Sequence, residues 1–158
     1  VAIYSEEGLG STVKLYLPPA INKPMPMTPS EADIPTSKNE TILVVEDDPR
    51  VMRLTVARLE GLGYHILTAE NGPAAIDILR AKNHVDLVLS DVVMPGGMTG
   101  FEVVDQALEI NPKLKVLLVT GYASGVGTNT GSTGSPHTVL RKPYSLPNLA
   151  KTLRTLLD

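Results

Sequence analysis

One stretch limits the possible folds of this chain more than any other: Val85-Asp-Leu-Val-Leu-Ser-Asp-Val-Val-Met-Pro95. Its first half is a short, almost continuously apolar run of Val and Leu, which is typical of a strand buried on both faces of a parallel sheet. The run ends at Asp91, and open α/β sheets bind their ligands at the carboxyl ends of such strands. Taken alone, the stretch leaves open whether Asp91 is a nucleophile, a metal ligand or the cap of a turn.

Strand-like apolar runs alternate with helical patterns over residues 40–158. The strands are predicted at residues 41–45, 65–69, 85–91, 115–120 and 138–142, and amphipathic helical patterns follow the first three and the last. This alternation predicts an α/β fold with a doubly wound, five-stranded parallel sheet and right-handed crossovers.

The exception is the segment between Tyr122 and Thr138, where a fourth helix belongs. It carries four glycines among Ser, Thr and Asn, namely Gly125, Gly127, Gly131 and Gly134. Since each glycine costs a helix roughly 1 kcal/mol relative to alanine, we expect an irregular or weak fourth helix, in a segment that is short, irregular or mobile.

The composition excludes several classes of protein. The chain has 158 residues, of which 42% are hydrophobic, so it can bury the core of one domain and carry an appendage. Its net charge of −3 argues against a basic nucleic-acid surface, and the lack of cysteine excludes disulfides and thiolate zinc sites. No apolar run is long enough to span a membrane, and Val1 starts within a strand-like pattern rather than a signal peptide. We therefore expect a cytosol-compatible piece of a larger protein, with no direct membrane contact and no nucleic-acid partner.

The first 17 residues carry a glycine pair, Gly8 and Gly10, which permits either a hairpin turn or a close backbone approach. Gly-Leu-Gly-Ser-Thr followed by a strand that ends in Leu-Pro resembles the last segment of the ATP-binding domain of sensor histidine kinases. This resemblance implies that residues 1–17 are the C-terminal remnant of such a domain. The asparagine-bearing helix and the earlier glycine motifs of that domain are absent, so we expect no ATP site in this chain.

Residues 18–39 have the composition of a linker. Six prolines fall within this polar stretch: Pro18, Pro19, Pro24, Pro26, Pro29 and Pro35. Prolines at this density predict an extended, semi-rigid spacer between domains. A recognition motif for a proline-binding module is the alternative.

Four of the five predicted strands end in groups that can take part in chemistry: Glu46 and Asp47, Asp91, Thr120, and Lys142. Asp48 with Pro49 makes a good helix start, but this role explains one of the three adjacent acids and not all of them. Because the carboxyl ends of parallel strands meet at one edge of a sheet, we expect the four groups to lie together.

This set of residues suits the transfer of a phosphoryl group to a carboxylate, a reaction that requires positioning and charge neutralisation. Asp91 would be the nucleophile and would form an acyl phosphate. Carboxylate and carbonyl oxygens are the ligands that Mg²⁺ prefers. The expected roles are Glu46, Asp47, Asp91 and the main-chain carbonyl of Val93 as Mg²⁺ ligands, Lys142 as the balancing charge, and Thr120 as a hydroxyl donor to the phosphoryl group.

Four motifs together resemble the receiver domain of two-component response regulators: residues 44–49, Val-Val-Glu-Asp-Asp-Pro; residues 89–95, Leu-Ser-Asp-Val-Val-Met-Pro; residues 119–121, Val-Thr-Gly; and residues 141–143, Arg-Lys-Pro. The resemblance covers residues 40–158. It implies the flavodoxin-like strand order 2-1-3-4-5, Asp91 as the phosphoacceptor, bound Mg²⁺ and a cis Lys142–Pro143 peptide bond.

The order of the three segments resembles the end of a hybrid sensor histidine kinase. A phosphohistidine in a kinase or phosphotransfer domain is then the expected partner, and the cytoplasm the expected location, whether or not the parent protein is attached to a membrane. One position departs from the family, because Val139 stands where a Tyr or Phe commonly reports phosphorylation. Signal output through residues 120–134, or a role as a phosphate relay or sink, is expected instead.

Two other classes remain open. A phosphatase of the haloacid dehalogenase type forms the same aspartyl phosphate but carries an acid two residues after the nucleophile, where this chain has Val93. A pure interaction module would keep the fold without phosphorylation, although it would normally have lost one of the key acids or the lysine. A nucleotide-binding domain is disfavoured, since no phosphate-binding loop with the required glycine and lysine spacing follows a strand.

Overall fold

The computed structural model of the protein describes residues 1–8, 10–16, 34–81, 84–95, 97–121 and 137–158. Within these residues the strands are β1 (Ala2–Glu6), β2 (Gly10–Lys14), β3 (Thr41–Val45), β4 (His65–Ala69), β5 (Leu87–Asp91), β6 (Lys115–Thr120) and β7 (Thr138–Arg141). The helices are α1 (Pro49–Gly61), α2 (Gly72–Arg80), α3 (Gly100–Ile110) and α4 (Leu146–Leu157).

Five of the strands form one parallel sheet in the order β4-β3-β5-β6-β7. Counted within this sheet, the order is 2-1-3-4-5, so the predicted flavodoxin-like topology is confirmed. The strand β5 lies at the centre, and its last residue, Asp91, pairs in register with Val119 of β6. The central strand begins two residues later than predicted, because Asp86 exchanges hydrogen bonds with Thr41 through its amide and its carboxylate instead of continuing the strand.

The sheet is covered by helices on both faces. Alternate residues of β3 point to opposite sides, so that Ile42 and Val44 pack in one core cluster and Leu43 and Val45 in the other. The first cluster includes side chains of α1 and α4, and the second includes side chains of α2 and α3. This burial on both faces explains why the strand sequences are continuously apolar instead of alternating.

Each helix of the sheet domain begins at a side-chain cap that the sequence supplies. The caps are Asp48 for α1, Asn71 for α2, Thr99 for α3 and Ser145 for α4, and each accepts a hydrogen bond from a main-chain N–H in the first turn. Three of these helices also carry proline in the first turn. The helix starts are therefore fixed locally, and they set where each loop at the carboxyl edge of the sheet ends.

The strands β1 and β2 form a separate antiparallel hairpin, in which Ile3 pairs with Val13. Gly8 and Gly10 both have positive φ, at 80° and 91°, so the turn uses the backbone freedom of glycine. The hairpin confirms the turn predicted from the glycine pair. Ile3 and Val13 share one face and remain 73% and 59% exposed, which is unusual for a hairpin because two isolated strands are only marginally stable.

Several predictions fall on residues outside the described ranges. They are the irregular fourth helix between 122 and 138 and most of the linker 18–39. The strand predicted to run to residue 17 ends earlier, at Lys14. The Lys142–Pro143 peptide bond is cis, as the resemblance implied. No helix in the described part of the chain is long and apolar enough to cross a lipid bilayer.

Candidate active site

Asp91 ends the central strand and lies at the carboxyl edge of the sheet. Its side chain is only 14% exposed. One carboxylate oxygen, Oδ2, accepts a hydrogen bond from Lys142 Nζ at 2.6 Å, and the other, Oδ1, accepts one from the Val93 main-chain N–H at 3.3 Å. Both oxygens of this nearly buried acid therefore have a donor, and the stronger of the two is charged.

Lys142 follows directly after β7 and bridges two carboxylates. Besides its contact with Asp91, its Nζ atom donates to Glu46 Oε2 at 3.3 Å. Glu46 follows directly after β3, so the ammonium group joins groups from three different strands. The main chain supports this position, because the Lys142 N–H donates to the Thr120 carbonyl at 2.8 Å.

The electrostatics of this cluster are unbalanced, because one cation serves two anions. Burial raises the pKa of the Glu46 carboxyl above its ordinary value; Lys142 and the Asp48 amide oppose the rise, and the charge of Asp91 adds to it. Burial alone would lower the pKa of the Lys142 ammonium, but the hydrogen bond and charge of Asp91, together with Glu46, outweigh it and raise that pKa. The lysine is thus held charged, while Glu46 lies in an environment that disfavours its ionised form.

The other predicted site residues are Thr120, Asp47 and Val93. Thr120 ends β6 and is buried, whereas Asp47 is exposed and lines a neighbouring cleft together with Glu46. Val93 is 49% exposed. An open cleft of about 370 Å³ gives access to the acid and is lined by Asp91, Val93, Gly121 and Lys142.

A cleft of about 430 Å³ lies at the opposite edge of the sheet, and its lining includes Glu40 and Asp86. Both acids there already have strong donors, since Arg154 donates to Glu40 and the Thr41 N–H to Asp86. We therefore place the functional site at the cleft lined by Asp91 and Lys142, where one cation faces two acids.

The carboxylates fit a hard divalent cation by their chemistry but do not converge as a set. Across the described residues, no three carboxylate or imidazole groups lie close enough together to hold a metal ion. The ammonium of Lys142 lies between Glu46 and Asp91 and contacts both carboxylates. The donor set consists of oxygen ligands only, and such ligands suit Mg²⁺.

Sequence reasoning missed two features of the site. It proposed a role for the Val93 main-chain carbonyl but did not predict the hydrogen bond that the Val93 N–H donates to Asp91. It also gave no role to Gly100, which packs directly against the main chain of Asp91. The available signal was a glycine at the first position of a helix, where glycine is not among the residues favoured.

The fold and the cluster define the class of protein: an α/β domain with a doubly wound parallel sheet and a lysine-bridged pair of acids at its carboxyl edge. A sequence profile of the response regulator receiver domain matches residues 42–154. The chain therefore belongs to the response regulator receiver family.

Known relatives agree with this assignment. The sensor kinase CckA of Brucella abortus (strain 2308) is 32% identical in an alignment 163 residues long, which covers 98% of this chain but 17% of CckA. The response regulator receiver protein CpdR of the same strain is 35% identical over 116 residues, 73% of this chain and 95% of CpdR. The crystal structure of response regulator TrrA from Thermotoga maritima, in complex with Mg²⁺-BeF, matches with a TM-score of 0.65 and 30% identity over 75% of this chain and 99% of TrrA.

Proposed function

We propose that this chain is a phosphorelay receiver in which Asp91 accepts a phosphoryl group from a phosphohistidine in a Mg²⁺-dependent reaction. The observation that carries the proposal is the 2.6 Å contact between Asp91 Oδ2 and Lys142 Nζ at the end of the central strand. A carboxylate that is nearly buried but open to a cleft is available as a nucleophile. The adjacent ammonium can neutralise the charge of an incoming phosphoryl group.

In the transfer, an oxygen of Asp91 forms a bond to phosphorus while the bond from phosphorus to the donor imidazole nitrogen breaks. The electron pair of the broken bond stays on the imidazole, and the product is an acyl phosphate on Asp91. The Lys142 ammonium would balance the negative charge of the phosphoryl oxygens, and the Thr120 hydroxyl would donate a hydrogen bond to one of them. The contact of Lys142 with Asp91 supports its role, and Thr120 is the residue after Val119, which pairs with Asp91.

The Mg²⁺ would be held by Glu46, Asp47, Asp91 and the main-chain carbonyl of Val93. When bound, the ion supplies positive charge to the phosphoryl oxygens. Lys142 contacts Oε2 of Glu46 at 3.3 Å, which is longer than its contact with Asp91, and the other Glu46 oxygen has no hydrogen bond with Lys142. The Mg²⁺-BeF complex of the relative TrrA supports this part of the proposal.

The same proposal places the domain within a hybrid sensor histidine kinase in the cytoplasm. The match to CckA supports this placement, because it covers 98% of the chain. Residues 1–17 would be the remnant of the ATP-binding domain, residues 18–39 the linker and residues 40–158 the receiver. The phosphohistidine would belong to the same polypeptide or to a partner kinase or phosphotransfer domain.

Intact-mass spectrometry after incubation with acetyl phosphate and Mg²⁺ tests the proposal. We expect one added phosphoryl group in the wild type and in the exposed control Asp77→Asn, and none in Asp91→Asn or when Mg²⁺ is chelated. With ATP as the only donor we expect no addition. Failure of the wild type to gain mass would leave a pure interaction module, and repeated turnover of a small phosphate ester would favour the phosphatase class.

A further inference from the structure

The first turn of α3 approaches the end of β5 so closely that only a glycine fits at the contact. A Cβ atom built on Gly100 would lie 2.1 Å from the carbonyl oxygen of Asp91, and 2.9 Å from both the Asp91 carbonyl carbon and Val92 Cα. All three are main-chain atoms, so no side-chain rotation can relieve the overlap. To reach the 3.0 Å limit of real Cβ contacts from 2.1 Å, the two elements would have to separate by about 0.9 Å.

Hydrogen bonds hold this contact from both sides. The Gly100 N–H donates to the Val92 carbonyl at 3.0 Å, and the Val92 N–H donates to the Val119 carbonyl of β6 at 2.9 Å. The turn itself is closed by a capping box, in which Thr99 and Glu102 each accept from the other's main-chain N–H. The start of α3, the main chain of Asp91 and β6 therefore form one connected unit.

We propose that Gly100 is a positioning residue for the phosphoacceptor: its missing side chain lets α3 fix the main chain of Asp91 where the carboxylate meets Lys142. This inference rests on the proposed role of Asp91. A misplacement of about 1 Å in a reacting group can lower a rate by roughly 100-fold. The displacement that an added methyl group would impose is of that size, and it acts on the residue that carries the nucleophile.

The chain offers matched controls for a glycine-to-alanine change. Gly72, the first residue of α2, is similarly crowded, with contacts of 2.7 Å to Met98 Cβ and 2.8 Å to Val103 Cγ2. A methyl group added there presses on these two residues and not on the main chain of Asp91. Gly61, the last residue of α1, has no described atom within 4 Å of a built Cβ. Comparing the three substitutions separates an effect on Asp91 from the general effects of overpacking and backbone entropy.

The experiment measures the rate of phosphorylation by acetyl phosphate at saturating Mg²⁺ for the wild type, Gly100→Ala, Gly72→Ala and Gly61→Ala. Each protein is assayed at a temperature at which its melting curve shows it to be folded. We expect the maximal rate of Gly100→Ala to fall roughly 10- to 100-fold. The apparent KM for acetyl phosphate should change by less than about threefold. Gly72→Ala and Gly61→Ala should keep a maximal rate within about threefold of the wild type.

A wild type that is phosphorylated, together with a folded Gly100→Ala whose maximal rate lies within about threefold of it, would overturn the inference and leave the proposed function intact. An equal loss in Gly72→Ala would also overturn it. If Gly100→Ala does not fold, Thr99→Ala decides, because it loosens the same turn without adding an atom near Asp91. The Thr99 cap fixes the first turn of α3 against β5, so we expect the maximal rate of the folded variant to fall by more than about threefold. A rate within about threefold of the wild type would overturn the inference.

Discussion

Two clusters of ion pairs lie at opposite edges of the same sheet, and they are built in opposite ways. At the carboxyl edge a single ammonium, that of Lys142, faces the carboxylates of Glu46 and Asp91. At the amino edge, Arg154 of α4 donates from two different nitrogens, to Glu40 at 2.6 Å and to Asp158 at 3.1 Å. The first cluster has one cation for two acids, whereas the second has two cations for two acids, because Lys38 also pairs with Asp158 at 2.7 Å.

The carboxyl pKa values of Glu40 and Glu46 differ in the same way. Burial alone would raise the pKa of the Glu40 carboxyl, but hydrogen bonds from Arg154, from Ser37 and from the Lys38 main-chain N–H lower it from 4.5 to about 2. The pKa of the Glu46 carboxyl is instead raised, with burial as the largest cause. One glutamate is stabilised as an anion by its neighbours, and the other is not.

The comparison separates a cluster that stabilises the fold from one that is available for chemistry. The Arg154 cluster holds residues 36–40 against the end of α4, since Arg154 Nη1 also lies 3.4 Å from the Thr36 carbonyl. The Lys142 cluster keeps unbalanced negative charge beside an open cleft. Strained electrostatics of this kind are typical of functional sites, so variants at the two edges should affect different properties.

The largest expected effect is that of Lys142→Gln on phosphorylation. We expect the rate with acetyl phosphate to fall roughly 100-fold, because the preorganised cation beside Asp91 is lost. The free energy of unfolding should also fall, by about 1–2 kcal/mol, because the buried Glu46 and the nearly buried Asp91 lose the cation that they share. Lys115→Gln, at the exposed start of β6, is the control for charge. If Lys142→Gln were phosphorylated at the wild-type rate, the Lys142 cluster would not differ from the Arg154 cluster in its role in the reaction.

At the other edge, Arg154→Gln should affect stability and not chemistry. It removes the donor of a largely buried ion pair, in which the two side chains are 12% and 16% exposed. We expect the free energy of unfolding to fall by about 2 kcal/mol, with a phosphorylation rate unchanged for the folded protein. Lys151→Gln, on the exposed side of α4, should change stability by less than about 0.5 kcal/mol. Denaturant titration measures both values.

The pH dependence of stability sharpens the same comparison. Because the folded-state pKa of Glu40 is lowered from 4.5 to about 2, its contribution is fully present above about pH 4.5 and is lost as the pH falls toward 2. The stability difference between the wild type and Arg154→Gln should therefore be constant near neutrality and should shrink through this window. Urea titrations at a series of pH values measure it. A difference that grew on acidification would contradict the assigned role of Glu40.

The smallest expected effect concerns Tyr64, which lies in the field of the Arg154 cluster. Its hydroxyl is the buried side-chain polar atom that lacks a hydrogen-bond partner among the described residues, and burial raises its pKa. We expect Tyr64→Phe to leave the free energy of unfolding unchanged or to raise it by less than about 1 kcal/mol, because no hydrogen bond is lost. Thermal unfolding measures the change, and a clear loss of stability would show that the hydroxyl has a partner.

The sequence predicted the sheet well because its determinants are local. The strand β3 was predicted at its observed bounds, since its apolar run and the Asp48–Pro49 helix start are adjacent in the chain. The strand order followed from the resemblance, and the position of Asp91 at the carboxyl edge followed from the alternation of elements. Such features need no knowledge of which helix packs on which face.

The sequence did not predict the contacts that depend on the packed fold. Glu40 and Arg154 are 114 residues apart, and nothing in the spacing of either residue indicates that they meet. The fit of Gly100 against Asp91 depends on the distance between α3 and β5, which packing determines and the motif does not. The role of Val93 as a metal ligand, and the roles of the other site residues in the reaction, stay predictions.

The most direct test of the central claim is to locate the phosphoryl group. After transfer from a phosphohistidine donor, borohydride reduction converts an aspartyl phosphate to homoserine, and peptide mass spectrometry identifies the converted residue. We expect homoserine at position 91 and at no other position. Conversion at Asp47 or Asp48, or a phosphoryl group retained on His65, His84 or His137, would contradict the account.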